Sequence, residues 1–245
     1  MCPHWARFAG KGSVKLNPGR HSISSPMTTK PVLKFRHTND AAIEVGIDEA
    51  GRGCFWGPLF AAAVVWIDEA GMTEEQQKLS AMIRDSKKIS EKRRTVIAEG
   101  IKKHAKAWGI GSVSAAELQE LGVTKANQLA FTRALADTET HVDRLIIDGC
   151  LSIYDHPWAL LPQVVEPEAD GAYIAVAAAS ILAKTGRDSY VLSACKEDAT
   201  LDQRYGLASN KGYGTLRHRT GILENGTVTE HRPQFLRKLL SQTIY

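Results

Sequence analysis

The stretch Gly46-Ile47-Asp48-Glu49-Ala50-Gly51-Arg52-Gly53 (GIDEAGRG) decides the interpretation of this chain. It overlaps a short apolar, β-branched run, Ala41–Asp48, which predicts a strand that ends in two adjacent acids. Neighbouring strand residues point to opposite faces, so Asp48 and Glu49 can serve one site only if the strand ends or bends before Gly51. Gly51 and Gly53 supply that freedom and would let a ligand backbone approach closely.

Two further apolar segments each contain an acid. Asp148 ends the predicted strand Arg144–Asp148 and precedes a glycine. Asp188 lies in the long helical pattern Ala172–Ala194, four residues after Lys184 and eight after Ser180, so these three side chains share a helix face. Ionised carboxylates are rarely buried without a compensating partner.

These four acids, Asp48, Glu49, Asp148 and Asp188, suggest a metal site. Carboxylates that converge repel one another unless cations lie between them, and hard divalent cations such as Mg²⁺ or Mn²⁺ prefer oxygen ligands. Two other interpretations stay open on the residues alone. An Asp at a strand end often forms a turn or caps a helix, and Asp188 could simply pair with Lys184 or Arg187.

The remaining pattern alternates between strands and helices, which predicts an α/β domain with a mixed sheet flanked by helices. Further predicted strands are Phe60–Ile67 and Gly109–Val113, and capping boxes at Thr73–Gln76 and Ser114–Glu117 predict helix starts. We also predict helices over Ser90–Trp108 and Lys125–Ala136, turn-rich chain over residues 203–231, and a last short helix that begins near Pro233.

Composition excludes several classes of protein. Apolar residues make up 43% and charged residues 24%, as in ordinary globular proteins. The longest apolar runs, Leu59–Ile67 and Ala172–Ala179, are too short to span a membrane. The four cysteines form no Cys-x-x-Cys pair, which favours a reducing compartment, the cytoplasm, over a disulfide or zinc framework. Cys54 could act as a thiol nucleophile, but no histidine lies nearby in sequence.

Charge is distributed unevenly along the chain. Residues 203–238 hold seven Lys and Arg against two acids, whereas residues 40–202 have a net charge of −8. An acidic body with a basic C-terminal segment fits a protein that gathers metal ions in one place and phosphates in another, although solvated surface charge explains it equally well.

Residues 1–39 are basic, contain no acid and lack apolar periodicity, so we expect a disordered extension followed by one domain over residues 40–245. An organelle-targeting leader is one interpretation. A start at Met27 is favoured, because the arginine spacing produces no amphipathic helix.

Several motifs resemble the ribonuclease HII family, in sequence and in order. They are GIDEAGRG (46–53), DSKK (85–88), IDG (147–149), AAASILAKTGRD (177–188), KGYGT (211–215) and HRPQF (231–235). The resemblance runs from about Val45 to Phe235. It implies a ribonuclease H-like fold with a helical C-terminal extension, residues 200–245, that binds substrate.

The resemblance also implies an activity and a site. Family members cut the RNA strand of RNA–DNA hybrids and cut 5′ of single ribonucleotides in duplex DNA, leaving 5′-phosphate and 3′-hydroxyl ends, in ribonucleotide removal and primer clearance. The four acids named above would bind two Mg²⁺ or Mn²⁺ ions and act in catalysis. The implied substrate contacts are Gly51, Arg52 and Gly53 at the ribose 2′-hydroxyl, Tyr213 on the neighbouring sugar, and Lys184, Lys87 and Lys88 at phosphates. We expect a monomer whose partners are these nucleic acids.

Three departures from the family pattern concern substrate fit. Cys54-Phe55-Trp56 stands where small and apolar residues are commoner, and Pro167–Asp170 lacks the Lys-Gly usual in bacterial members. The segment from Asp188 to Tyr213 is longer than the family pattern by a few residues. Two alternatives remain: ribonuclease HIII, whose usual N-terminal domain a 39-residue extension cannot form, and a non-catalytic protein that binds nucleic acid.

Overall fold

A mixed five-stranded sheet lies at the centre of the fold, with strand order β3-β2-β1-β4-β5. The strands are β1 (Glu44–Ala50), β2 (Leu59–Val65), β3 (Ala107–Val113), β4 (Arg144–Asp148) and β5 (Gln163–Glu166). The computed structural model describes residues 33–84 and 86–241. The disorder predicted for residues 1–32, and the contact predicted for the Lys88 side chain, lie outside the described residues.

The pairing of β1 with β4 brings two of the predicted acids to one edge of the sheet. The two strands are parallel, and Ile47 is the register partner of Ile147. The next residues, Asp48 and Asp148, therefore lie side by side, with Asp48 still paired with Ala62 and Asp148 with Glu166. β2 pairs with β1 in the antiparallel sense, and β5 pairs with β4 in parallel, which makes the sheet mixed as predicted.

Helices cover both faces of the sheet. The described residues form α1 (Glu74–Met82), α2 (Glu91–His104), α3 (Ala115–Asp137), α4 (Ile174–Glu197), α5 (Ala199–Tyr205), α6 (Leu207–Asn210), α7 (Leu216–Asn225) and α8 (Pro233–Ser241). α1, α2 and α4 share one apolar core with the sheet, while α3 packs on the opposite face. α4 lies so close to β1 that a Cβ on Gly46 would come within 2.3 Å of the Ala175 backbone.

The helix starts were predicted well, and one helix end was wrong. Thr73 and Ser114 both form the expected capping boxes. The helix predicted over Ser90–Trp108 ends at His104, because Lys106 donates its N–H to the Val65 carbonyl at 3.0 Å. Trp108 then joins β3 opposite Val64. A Trp can complete the apolar face of a helix or pack equally well in an edge strand. Here the hydrogen bonds of the sheet favour the strand over the helix.

Other differences lie in segments with weak patterns. β5, a four-residue strand, was not predicted. The stretch predicted as turn-rich, 203–231, contains α6 and the whole of α7, whose N-cap Thr215 accepts the N–H of His218. Gly122, with φ 76° and ψ 161°, interrupts α3, so a second helical segment begins close to the predicted Lys125.

The chain contacts the body of the fold before the predicted start at residue 40. Lys34 donates its N–H to Ala172 at 2.8 Å and accepts from Ile174 at 3.0 Å. Within residues 33–84 and 86–241, no helix is long and apolar enough to cross a membrane.

Candidate active site

Three acids meet where β1 and β4 end. Asp48 is 6% exposed and accepts the N–H of Glu49 at 2.6 Å, and its carboxylate also interacts with the buried Ser180 hydroxyl. Asp148 accepts the N–H of Ala169 at 2.7 Å from the segment that leads into α4. The sheet and α4 thus position the carboxylates from two sides.

Asp48 and Glu49 are costly to ionise where they lie, and the main cause is their burial. Burial raises the pKa of Asp48 well above its usual range, and the charges of Glu49 and Asp148 raise it further. Burial also raises the pKa of Glu49, against the opposing effect of Arg52, whose guanidinium lies 3.9 Å from the Glu49 carboxylate. A cation between the carboxylates would remove this cost.

Asp188 occupies a different electrostatic environment. Its side chain is almost fully buried, and Arg94 from α2 donates to one carboxylate oxygen at 2.8 Å. Lys184, one helical turn earlier, donates to the other oxygen. The pairing of Asp188 with Lys184, one of the open alternatives, is therefore present. Arg187 points elsewhere, to carbonyl oxygens.

The donor chemistry of the cluster fits a hard divalent cation. Asp48, Glu49 and Asp148 offer only oxygen, and their mutual repulsion favours a bound cation. As the side chains stand, however, the described part of the chain contains no group of three His, Cys, Asp or Glu residues that could hold a metal ion. The four-carboxylate metal site therefore stays a prediction, and Asp188 is the member already matched by two cations.

The segment Gly51-Arg52-Gly53, here called the GRG loop, is hydrogen-bonded by the buried Arg232 and packs against the buried Arg187. Arg232 donates to the carbonyl oxygens of Gly51 at 2.7 Å and Arg52 at 3.1 Å. Gly51 has φ +85°, and a Cβ there would lie 1.9 Å from Nε of Arg187. Gly53 is exposed, and nothing lies within 4 Å of the position of a Cβ. The loop is fixed on its inner side and open on its outer side.

Tyr213 lies beside the acids on the open side of the site. Its side chain is 38% exposed, and its ring is flanked by Lys184 Nζ at 5.7 Å and Arg187 Cζ at 5.6 Å. The charge of Asp188 also acts on Tyr213. The structure thus brings Tyr213, Lys184 and Asp188 together.

Cys54 and Trp56, the unusual residues after the GRG loop, are both buried. Burial raises the pKa of the Cys54 thiol, which argues against a thiolate nucleophile. Trp56 packs into the apolar cluster of the C-terminal helices and pairs with the backbone of His231. Its carbonyl accepts from Arg187 at 3.0 Å. Trp56 therefore joins the loop to the C-terminal helices.

Lys87 lies near enough to Glu49 to lower the pKa of that carboxyl. It belongs to a short helical turn, Ser86–Lys88, and Ser86 Oγ lies 2.9 Å from Ser180 Oγ. Lys87 thus borders the acid cluster.

The motifs implied no role for three buried arginines of the site. Arg94, Arg187 and Arg232 are each 7% exposed or less. The sequence did indicate that Arg94 is buried, since it lies three residues before Ile97 on the apolar face of its helix. Arg187 and Arg232 lie inside two of the quoted motifs, but their carbonyl partners lie 24 to 181 residues away.

Solved structures with the same arrangement of strands and helices define the class of the fold. The ribonuclease HII of Archaeoglobus fulgidus, solved in complex with PCNA, matches with a TM-score of 0.60 and 28% identity over 82% of this chain and 98% of that one. Bst-RNase HIII in complex with Mn²⁺ matches with a TM-score of 0.60 and 21% identity over 82% of this chain and 70% of that one, which shows the fold alone. The fold is ribonuclease H-like, with the predicted helices at the C-terminal end.

Sequence comparison makes the assignment specific. The family described as Ribonuclease HII matches residues 45–242. The ribonuclease HII of Synechococcus sp. (strain RCC307) is 41% identical over 198 residues, which span 79% of this chain and 91% of that protein. This chain belongs to the ribonuclease HII family, as its motifs predicted, and is a hydrolase that cleaves RNA in RNA–DNA hybrids.

Proposed function

We propose that this protein cuts the RNA strand of hybrids and cuts on the 5′ side of single ribonucleotides embedded in duplex DNA, leaving 5′-phosphate and 3′-hydroxyl ends. One observation carries the proposal: the coupled acids Asp48, Glu49 and Asp148 lie directly beside the exposed face of the GRG loop. A phosphodiester and the ribose attached to it can therefore be bound together.

The acids would bind Mg²⁺ or Mn²⁺, with Asp188 completing a two-ion site. When bound, these cations supply an activated water and stabilise the leaving 3′-oxygen. Asp48 and Glu49 contribute negative charge that burial has already made costly. Asp148 is oriented by the N–H of Ala169.

The GRG loop would distinguish RNA from DNA through its main chain. The carbonyl oxygens of Gly51 and Arg52 are engaged by Arg232. The N–H groups of Arg52 and Gly53 donate to no other described residue, so they are available to the ribose 2′-hydroxyl. The open space at Gly53 lets the sugar approach.

Tyr213 and nearby cations would bind the rest of the duplex. The exposed ring of Tyr213 would stack on the sugar of the adjacent deoxynucleotide, with Lys184 and Lys87 at neighbouring phosphates. The basic segment 203–238 would bind the duplex backbone, so affinity should fall steeply with salt.

The test uses a DNA duplex with a single ribonucleotide, and Asp48→Asn and Asp148→Asn as variants. We expect both to lose nearly all cleavage, while the exposed Glu120→Gln, an isosteric change of an acid outside the site, cuts like the wild type. The product ends are mapped with Mg²⁺ and with Mn²⁺. Cleavage at wild-type rates by both variants would overturn the proposal.

A second substrate separates this function from that of a ribonuclease HIII. We expect the single ribonucleotide to be cut at a rate comparable with that of a run of several ribonucleotides. A strict requirement for the run would assign the chain to the other activity. Roles in ribonucleotide removal and primer clearance, a cytoplasmic location and a monomeric state stay predictions.

A further inference from the structure

Two buried histidines connect the C-terminal helices to Tyr213. His218, in the first turn of α7, and His231, just before α8, are 0% and 4% exposed. Their Nε2 atoms lie 3.1 Å apart. On the outer side of the pair, His231 Nδ1 accepts the N–H of Val228 at 2.9 Å, and His218 Nδ1 lies 3.0 Å from the carbonyl oxygen of Tyr213.

These contacts leave each ring one protonation state. Val228 N–H is a donor, so His231 Nδ1 has to be the acceptor and its proton lies on Nε2. The Tyr213 carbonyl is an acceptor, so His218 Nδ1 has to donate and His218 Nε2 is unprotonated. The 3.1 Å contact then has one direction, from His231 Nε2–H to His218 Nε2.

We propose that His218 and His231 are positioning residues that hold Tyr213 in its place through a directed hydrogen-bond chain. The chain runs from Val228 N–H through the two neutral rings to the Tyr213 carbonyl. It rests on the proposed role of Tyr213 at the sugar beside the cut. The hydrogen-bond chain ends at the Tyr213 carbonyl, and this end point assigns its function. Two apolar side chains could fill the same volume, but they could not fix the Tyr213 main chain.

Aromatic neighbours hold the orientation of the two rings. Tyr205 meets His231 edge-on with ring centroids 4.9 Å apart, and Phe55 lies 5.9 Å from His218. The Tyr213 carbonyl accepts a second hydrogen bond from Thr215 N–H at 2.8 Å. The position of Tyr213 therefore depends on two donors, Thr215 N–H and His218 Nδ1–H, and His231 fixes the tautomer of the second.

The first test reads the tautomers directly in the wild-type protein. Long-range proton–nitrogen NMR correlations at neutral pH separate Nδ1–H from Nε2–H histidines, and the signals are assigned by their loss in single variants. We expect His218 as the Nδ1–H form and His231 as the Nε2–H form. The opposite tautomer on either ring, or a charged ring, would overturn the proposal. This result is independent of any nuclease activity.

The second test uses the geometry of amide side chains. The amide nitrogen of Asn superposes on Nδ1 of His, whereas the amide of Gln reaches the position of Nε2, where its oxygen can accept from His231. His218→Asn keeps a donor for Tyr213, and His218→Gln removes it while keeping the contact to His231. We expect His218→Gln to raise KM for the single-ribonucleotide duplex about fivefold, the factor for one ordinary hydrogen bond, with kcat within about twofold. His218→Asn should stay within about twofold in both.

Two controls make the outcome decisive. His141→Asn, at an exposed histidine outside the C-terminal helices, should leave KM unchanged. Urea unfolding of both His218 variants shows whether they lose similar amounts of stability. Equal KM values for the two His218 variants would contradict the proposal. If the wild type cut no ribonucleotide substrate at all, the proposed function would fail while the tautomer result still decided the hydrogen-bond chain.

Discussion

Arg232 donates from Nη1 to the carbonyl oxygen of Gly51 at 2.7 Å, across 181 positions of sequence. The same guanidinium reaches the Gly57 carbonyl at 2.8 Å. Among the described residues it forms no ion pair with a carboxylate, and burial lowers its pKa to about 10. A charged group that binds only main-chain carbonyls has one evident effect, to fix the shape of the loop that carries them.

Replacing Arg232 should therefore unfold the loop and weaken the whole protein. We expect Arg232→Ala to lower the free energy of unfolding by about 3 kcal/mol or more, because several buried carbonyls lose their donor. Arg232→Lys should recover little, since an ammonium cannot reach the same oxygens. Urea titration measures the effect, with the exposed Arg237→Ala as control. A loss within about 0.5 kcal/mol would contradict this role.

The two glycines of the GRG loop should respond differently to alanine. Gly51→Ala meets both a positive φ and the Arg187 side chain, so we expect a clear loss of stability. Gly53→Ala enters open space and should leave the unfolding free energy within about 0.5 kcal/mol. If the ribose approaches at Gly53, this second variant should still raise KM at least severalfold. Thermal unfolding and cleavage kinetics of the matched pair separate the two effects; an unchanged KM would exclude a sugar at Gly53.

Ionised Asp48 should lower the free energy of unfolding of the metal-free protein. Its folded-state pKa is raised, so the folded chain binds the proton more tightly than the unfolded chain, and stability falls as pH rises above about 3.9. At pH 7 with a chelator, Asp48→Asn should be more stable than the wild type by about 1.4 kcal/mol for each pH unit of the shift. Mg²⁺ should then stabilise the wild type and not the variant. A less stable Asp48→Asn would contradict the electrostatic interpretation.

The histidine pair should make stability depend on pH in a definite window. Burial lowers the pKa of His231 to about 4, whereas an unfolded histidine titrates near 6.5. The unfolded chain therefore binds the proton first, and stability is full above about pH 6.5 and decreases as pH falls towards 4. The loss should reach roughly 2–3 kcal/mol. Urea unfolding at pH 7 and 4.5 should show a smaller loss in His231→Gln, and an identical loss would refute the assignment.

Sequence patterns predicted the features that depend on neighbouring residues, such as strands and the starts of helices. Strand patterns placed Asp48 and Asp148 near the ends of two strands, although β1 continues to Ala50. The parallel pairing of β1 with β4, which brings the two acids side by side, was not predicted. Capping boxes marked the starts of α1 and α3 because a Ser or Thr and an acid or amide three residues later each accept the other's backbone N–H.

Contacts between distant segments could not be predicted in the same way. Asp188 shares a helix face with Lys184, which the sequence shows, but its second partner, Arg94, lies 94 residues earlier. No periodicity encodes that pairing, nor the binding of the GRG loop by Arg232. The helix predicted through Trp108 was wrong for the same reason. Its partner Val64 belongs to another strand, and pairing in the sheet overrode the helical pattern.

The distance in sequence between Arg232 and the GRG loop has a consequence during protein synthesis. The loop and the strand before it leave the ribosome early, since a chain emerges from its N-terminal end. Until position 232 has been added, the carbonyl oxygens of Gly51 and Arg52 lack their donor. A nascent chain therefore contains Asp48 and Glu49 before the GRG loop is ordered, and the loop takes its final shape only when the C-terminal segment that carries Arg232 has been translated and docked.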